Sequence, residues 1–259
     1  MVKKILSILV WVITAGGIVT LFIFSRMNYL STPLKSISIN IEGGTGHEFI
    51  DKDTLLCEIG TICHISSKNT IGNINMLQIE RHLNNNPWIE KSAAYIGLDS
   101  VLYINLKEYE PALRVFNKSG KSMFVTEQGV VFPTSKTYTP RILVASGNFD
   151  FPIDTKISDS TYQNSGIAEA LHIRQAIQKD EFMQSCIGQI YRNNAGEFEI
   201  AVNEIHARVI LGDTCQIDDK LLKMKTFLKH KLGSEELNNY SKVNLKFKNQ
   251  IVCTKKIKS

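Results

Sequence analysis

Most signatures of catalytic chemistry are missing from this 259-residue chain. It has no CxxC pair. Its five cysteines (Cys57, Cys63, Cys186, Cys215 and Cys253) are odd in number and widely spaced, which excludes a disulfide framework and a zinc site of ordinary spacing. Cys57 and Cys63 are close enough in sequence to pair in an oxidising compartment; small buried thiols are the other reading. None of the histidines, His47, His64, His82, His172, His206 and His230, forms HExxH or HxxxH, so no helix presents two imidazoles to one metal. His82 falls on the polar side of its segment and reads as a surface residue. No GxSxG occurs. Ser119-Gly120-Lys121-Ser122 imitates the end of a phosphate loop, but the first glycine that loop needs is replaced by Val115. Without it the backbone cannot wrap phosphates, and the stretch reads as a hairpin turn. Asp150, Asp154 and Asp159 share a polar loop with Pro152 and read as solvated charges, not as an acid–base pair. Repeats and low-complexity runs are absent as well. This pattern supports no enzyme, no cofactor, no metal and no small-molecule substrate.

Charge is mild, at +5 overall, and its basic part comes late: Lys220, Lys223, Lys225, Lys229 and Lys231, then Lys255, Lys256 and Lys258. A solvated helix face and a basic tail are the plain reading; an anionic-lipid or nucleic-acid patch is the alternative. No aromatic residues are interleaved to stack bases, so nucleic acid is not expected as a partner.

What the chain does have is one long uncharged stretch, Ile5 to Phe24, directly behind Lys3 and Lys4. Its residues, at about 1.5 Å each, make roughly 30 Å of helix, the thickness of a hydrocarbon core. Ser7, Thr14 and Thr20 can return their hydroxyls to the helix backbone. A cleaved signal peptide has an apolar core of about 7–15 residues and a small-x-small site. Here the core is longer, and Ser25-Arg26-Met27-Asn28 offers no such site, so an uncleaved single-pass anchor is expected. Lys3 and Lys4 argue for a cytoplasmic N-terminus, although Arg26 and Lys35 flank the other end; a large following part translocates largely regardless of charge. Gly16 and Gly17 would permit close helix packing, but no GxxxG is present.

Beyond the anchor, 26–32 reads as a short polar connection closed by Pro33. Leu34 to Ile41 alternates, with Ile37, Ile39 and Ile41 on one face: a half-buried strand. Gly43, Gly44 and Gly46 end it. Asp51 to Glu58 reads as a short helix. Asn75, with Gln78 three residues on, reads as the cap of a second helix that stops at Asn84-Asn85-Asn86-Pro87. Trp88–Leu98 and Val101–Tyr109 are strands, with Leu102, Ile104 and Leu106 sharing one face. The order strand, helix, helix, strand, strand predicts helices layered on a three-stranded sheet. After Pro111, strands are predicted at 113–116, 123–126, 130–132, 141–145, 187–192, 198–202, 207–211, 243–247 and 251–254, with helices at 165–179 and 218–232. The fold class is α+β: an anchor helix, a β-α-α-β-β domain, then a mostly antiparallel β domain with two helices.

These segments carry a family likeness. IERHLNNNPWIEKSAA (79–94) and VLYINLKEYEPALRVF (101–116) resemble the second half of the POTRA domain of FtsQ/DivIB cell-division proteins, with its Asn-Pro-Trp step at Pro87 and Trp88 and its Glu-x-x-Pro-Ala-like close at Glu108, Pro111 and Ala112. FVTEQGVVFP (124–133) resembles the next signature through Gly129 and Pro133, and VNLKFKNQI (243–251) the closing strand. Two positions depart from the family pattern. The usual Arg-x-Trp-Pro hairpin turn is Gly97-Leu98-Asp99-Ser100 here, and the closing strand has Asn244 and Lys246 where Asp and Arg are common.

The resemblance implies a cytoplasmic tail at 1–4, a transmembrane helix at 5–24, a linker at 25–33, a POTRA domain at 34–110, an FtsQ-type β domain at 111–254 and a basic tail at 255–259. It implies a non-enzymatic scaffold of the inner membrane and division septum, with the bulk of the chain outside the cytoplasm. It would bind FtsB-like and FtsL-like proteins, with FtsK, FtsW and FtsI-like proteins as further candidates. The family's last strand accepts a partner strand. Here that edge would involve Phe247, Asn249, Gln250, Ile251, Val252, Cys253 and Thr254, with Phe247 and Ile251 or Val252 supplying side-chain pockets and Val252 a ladder donor. Lys255, Lys256 and Lys258 would either favour an acidic partner segment or guard the edge against aggregation. The alternative function is a POTRA-type module that delivers outer-membrane or secreted chains; such a factor would continue into a series of amphipathic barrel strands, which this chain does not show.

Overall fold

The computed structural model describes residues 2–42, 48–62, 70–150, 165–203, 205, 207–231 and 239–256. Several positions named above lie outside them: Gly43, Gly44, Gly46, His47, Cys63, His64, Pro152, Asp154, Asp159, His206, Leu232 and Lys258. The described part is mixed α+β and falls into two compact units, Met1–Glu108 and Tyr109–Ser259.

The first unit begins with helix α1 (Val2–Leu30). Among the described residues it is the one helix long and apolar enough to cross a membrane. Thr14 donates to the Val10 and Trp11 carbonyls at 3.0 Å, and Thr20 to those of Gly16 and Gly17, so these hydroxyls are satisfied inside the helix. Residues 26–30, expected as a polar connection, continue the helix. Polarity alone does not end a helix, and no breaker comes before Pro33, whose ring disfavours helical geometry in the residue ahead of it.

Strand β1 (Ser36–Glu42), helices α2 (Lys52–Ile62) and α3 (Met76–Asn84), and strands β2 (Ile89–Ile96) and β3 (Val101–Glu108) follow, with a single 3-10 turn at Ile71–Asn73. The expected β-α-α-β-β order is therefore present. The sheet order is β1-β3-β2, with β3 parallel to β1 and antiparallel to β2. Asp51 caps α2 by accepting from the Thr54 N–H at 3.1 Å, and Asn75 caps α3 by accepting from the Gln78 N–H at 3.1 Å. At the far end of α3, Asn86 Oδ1 accepts from the Trp88 N–H at 3.0 Å, turning the chain through Pro87 into β2. The alternation in β3 drives Leu102, Ile104 and Leu106 into a core with Leu55, Ile59, Ile79 and Leu83. Burying each such side chain contributes about 1.5–3 kcal/mol. Glu108 closes β3, and its carboxylate accepts from the Phe49 N–H at 3.1 Å and the Ile50 N–H at 2.9 Å.

The second unit contains strands β4 (Leu113–Phe116), β5 (Ser122–Val125), β6 (Val131–Pro133) and β7 (Leu143–Gly147), then helices α4 (Ile167–Gln178) and α5 (Glu181–Cys186). Strands β8 (Ile187–Arg192), β9 (Phe198–Val202) and β10 (Arg208–Gly212), helix α6 (Ile217–Lys231), and strands β11 (Tyr240–Asn244) and β12 (Val252–Lys255) complete it. They form one nine-stranded sheet, ordered β12-β11-β10-β9-β8-β7-β4-β5-β6. The sheet is mostly antiparallel, with parallel pairs β4–β7, β7–β8 and β10–β11. Its core includes Leu113, Val115, Ile190, Ile200 and Val209 from the strands and Ile173, Met224 and Leu228 from the helices.

Two expectations are corrected here. The unit has three described helices, not two: α5 is only six residues, too short to show a period, although Asp180 caps it by accepting from the Met183 N–H at 3.2 Å. The strand expected at 243–247 ends at Asn244, because the Asn244 side chain accepts from the Lys246 N–H at 3.0 Å and turns the chain.

The phosphate-loop mimic is a turn between β4 and β5, held by Asn117, whose Oδ1 accepts from the Ser119 and Lys121 N–H groups at 3.0 Å. Gly129 sits at φ +85° in the turn joining β5 to β6, the left-handed conformation that glycine adopts without steric cost. Neighbouring Glu127 pairs with Arg174 of α4. Pro111 stands just ahead of Ala112, whose N–H reaches the Val125 carbonyl at 2.8 Å. Pro133 is the last residue of β6. Cys57, Cys186, Cys215 and Cys253 are thiols.

Candidate partner-docking edge

The nine-stranded sheet has two unlike edges. One is β6, three residues long and ending in proline. Short edge strands and edge prolines are ordinary devices against strand addition. The other is β12, which pairs on one side with β11.

The sequence-expected edge residues divide between strand and loop. Val252, Cys253 and Thr254 lie on β12, together with Lys255. Phe247, Asn249, Gln250 and Ile251 lie in the connection from β11 and are not part of the edge strand. Asn249 takes φ +60°, a left-handed position that asparagine tolerates, and this reverses the chain. Phe247 remains 44% exposed and Val252 40% exposed, whereas Ile251 and Cys253 pack against the core.

Register decides which backbone groups of β12 face outward. The Leu245 N–H bonds the Ile210 carbonyl at 2.9 Å, so Leu245, and Val243 two residues before it, turn their backbone groups toward β10. Asn244 and Lys242 then face β12, opposite Val252 and Thr254. Beyond a bulge between Tyr240 and Lys242, the Lys256 N–H reaches the Asn239 carbonyl at 2.7 Å, which keeps the same parity. Val252 and Thr254 therefore use their N–H and C=O on β11. By register the Cys253 backbone and the Lys255 N–H turn to the opposite side, while the Lys255 carbonyl accepts from the Ser241 hydroxyl of β11 at 3.4 Å. This corrects the expectation that Val252 is the edge donor: its side chain is exposed, but its amide belongs to the hairpin.

Three of the α6 lysines make specific contacts, and one of them holds this hairpin. The Lys223 ammonium donates to the Leu245 carbonyl at 3.2 Å and the Phe247 carbonyl at 2.7 Å, gripping the loop ahead of β12. Lys220 is buried and donates to the Asp213 carboxylate at 2.7 Å; Lys225 pairs with Asp180. Lys246 pairs with Glu197, and that contact holds the Glu197 carboxyl below its ordinary value. Phe227 packs on Tyr240 with ring centroids 6.2 Å apart, joining α6 to β11. No spacing rule points to Lys223 or Lys246, because their partners are carbonyls and carboxylates brought close only by the fold. Lys223→Met should leave the sheet folded and cost about 1 kcal/mol of local hairpin stability; faster hydrogen exchange of the β12 amides, with the β8–β9 amides unchanged, is the expected readout.

Lys242, Lys248, Lys255 and Lys256 are exposed on this edge and give it a positive field. The edge thus presents an apolar side chain at Val252 and positive charge.

The whole of this unit up to β12 is covered by a family model. The model is described as FtsQ/DivIB, C-terminal related, and it matches residues 110–254, more than half of the chain. The chain belongs to that family. No curated protein sequence matches the chain significantly. In this FtsQ/DivIB-related chain, the matched residues run from the entry into β4 to the outward-facing edge. Membership supports a role in cell division within a family of non-enzymatic scaffolds, and α1 is consistent with a single-pass anchor.

Proposed function

We propose that this protein is a membrane-anchored scaffold of the division machinery that captures a partner strand along β12. The observation that carries this reading is the place of β12 at the rim of the family-matched sheet, with Val252 and the neighbouring lysines exposed. An incoming strand would extend the sheet by backbone hydrogen bonds, with Val252 and Phe247 giving apolar contacts and the lysines selecting an acidic segment. FtsB-like and FtsL-like proteins are the proposed partners, with FtsK, FtsW and FtsI-like proteins meeting the chain elsewhere. The β-α-α-β-β unit is proposed as a POTRA domain. The chain would sit in the inner membrane at the septum with its N-terminus cytoplasmic, acting without catalysis or cofactor to join early to late division proteins.

Conditional depletion tests the role. Long cells with segregated nucleoids and unchanged outer-membrane proteins are the expected result. Cells that divide normally but lose outer-membrane proteins would overturn the scaffold reading in favour of an envelope-assembly module.

A further inference from the structure

Leu98 is the most exposed large apolar side chain described, at 97%, yet it sits on a turn with little freedom. The Asp99 carboxylate accepts from the Tyr103 hydroxyl at 2.7 Å and the Val101 N–H at 3.2 Å. The Ser100 carbonyl accepts from the Lys35 N–H at 2.9 Å. Tyr95 stacks on Tyr103, with ring centroids 5.4 Å apart. The turn therefore holds the Leu98 side chain out in solvent, where an apolar surface outside the unit can meet it.

The position of the tip along α1 indicates that partner. The Tyr29 hydroxyl donates to the Gly97 carbonyl at 3.4 Å, next to Leu98. The end of α1 and the residues just after it are also docked on the 3-10 turn: the Ile71 N–H bonds the carbonyl of Thr32, two residues past the helix, at 2.9 Å, and Gly72 lies so close to Leu30 that an added Cβ would stand 3.1 Å from its carbonyl oxygen. The anchor is therefore joined to its own unit at two places, and the hairpin tip has a set height along the helix. Tyr29 lies five residues beyond Phe24, the end of the uncharged run, or about 7.5 Å along the axis. Helical side chains slope back toward the N-terminus, so the Tyr29 hydroxyl and the Gly97 carbonyl lie closer to the apolar run than the Tyr29 backbone does. The headgroup layer on each side of a bilayer is roughly 5–7.5 Å deep.

The rest of this end is apolar too. Glu80 of α3 accepts from the Ala94 N–H at 2.9 Å, and Asn84 accepts from the Ser92 hydroxyl at 2.9 Å, so α3 and β2 run in opposite directions. One turn before Glu80, Leu77 is at the same end as the tip and is 64% exposed. Leu77, Tyr95 and Leu98, the exposed large hydrophobics of the described first unit after α1, all lie at the end where the anchor enters.

We infer that this end is a membrane foot: Leu98 enters the headgroup–acyl boundary, flanked by Leu77, Tyr29 and Tyr95, and holds the first unit against the bilayer. Tyrosine suits such a layer, where its ring is apolar and its hydroxyl stays wet. The inference rests on the anchor reading of α1 and holds for either orientation of the chain.

Leu98→Cys, Asn85→Cys and Phe22→Cys are made in full-length protein in which Cys57, Cys63, Cys215 and Cys253 are serine and buried Cys186 is kept. Each is labelled with an environment-sensitive fluorophore and placed in phosphatidylcholine nanodiscs carrying a doxyl group near the carbonyl end of the acyl chain. Asn85 is at the opposite end of α3 and is exposed. The label at 98 should shift to the blue and lose most of its emission to the doxyl lipid, as the label at 22 does, while the label at 85 stays bright. If 98 behaves like 85 while 22 is quenched, the foot is overturned and the anchor stands. If 22 is not quenched, the anchor reading fails and the foot with it.

Discussion

Proline at Cys253 should reduce capture of the partner segment roughly tenfold or more while the nine-stranded sheet stays folded. The Cys253 N–H points away from β11, so the ring takes nothing from the β11–β12 ladder, and strands accept proline where the N–H faces the outer edge. What the ring adds is a clash with any chain that approaches β12 to ladder distance, and that clash lowers capture. Lys255→Pro should act the same way. Val252→Pro has a different signature, because Val252 exchanges its backbone bonds with Asn244. That variant should lower hairpin stability first and binding second. Titration of each variant with a purified FtsB-like partner, beside its thermal unfolding curve, separates the two effects. A period-two alternation between stability loss and binding loss is expected along 252–255. Unchanged affinity in both the Cys253 and Lys255 variants would sink strand addition as the mode of binding. Raising the salt concentration should weaken the wild-type complex, since the lysines on this edge are exposed and screened.

The largest stability effect outside the apolar core is expected at Glu108. Its carboxylate accepts from the Ile50 N–H, and Ile50 is buried. Glu108→Ala removes that acceptor and should cost about 1–3 kcal/mol, the penalty of a buried donor left without its bond. Burial raises the Glu108 pKa above its ordinary value of 4.5, against the lowering effect of the Phe49 and Ile50 N–H groups. A carboxyl with a raised folded-state pKa binds its proton more tightly folded than unfolded. Its effect on stability is therefore most favourable when protonated, and it declines as pH rises from about 4.5 through the raised folded value. Asp51 and Asp99 have lowered values, because Thr54 and Tyr103 donate to them, and they act in the opposite sense. Their contribution is lost only as pH falls below the ordinary aspartate value of 3.8. Glu108 should thus add stability to the first unit as pH falls through its raised folded value toward 4.5, and Glu108→Gln should flatten that slope. Chemical denaturation across this range reads the effect directly; an identical slope in wild type and Glu108→Gln would refute the assignment.

Much of this molecule was legible in its residues because the relevant rules are local. An uncharged run of bilayer length, Asn75 followed three residues on by Gln78, and the alternation of Leu102, Ile104 and Leu106 each specify structure within one or two turns of chain. The turn at Gly129 is local in the same sense and falls within the family match. Errors came where a boundary depends on a single side-chain bond or on an element too short to show a period. Helix α1 runs past its uncharged stretch, Asn244 turns the chain before Phe247, and α5 is under two turns long.

The sequence by itself determined the long apolar helix, the β-α-α-β-β order, the mostly antiparallel second unit and the region of the candidate edge. Only the tertiary structure decided that β12 is at the rim of a nine-stranded sheet, that the Val252 backbone belongs to the β11–β12 hairpin, that Lys223 grips the loop before the edge, and that Leu98 stands beside the end of α1. The physical reason is range. Helix caps and alternation are set by neighbours along the chain, whereas strand parity, a lysine on a distant carbonyl and the height of a hairpin tip depend on residues dozens of positions apart, which meet only once the core has closed.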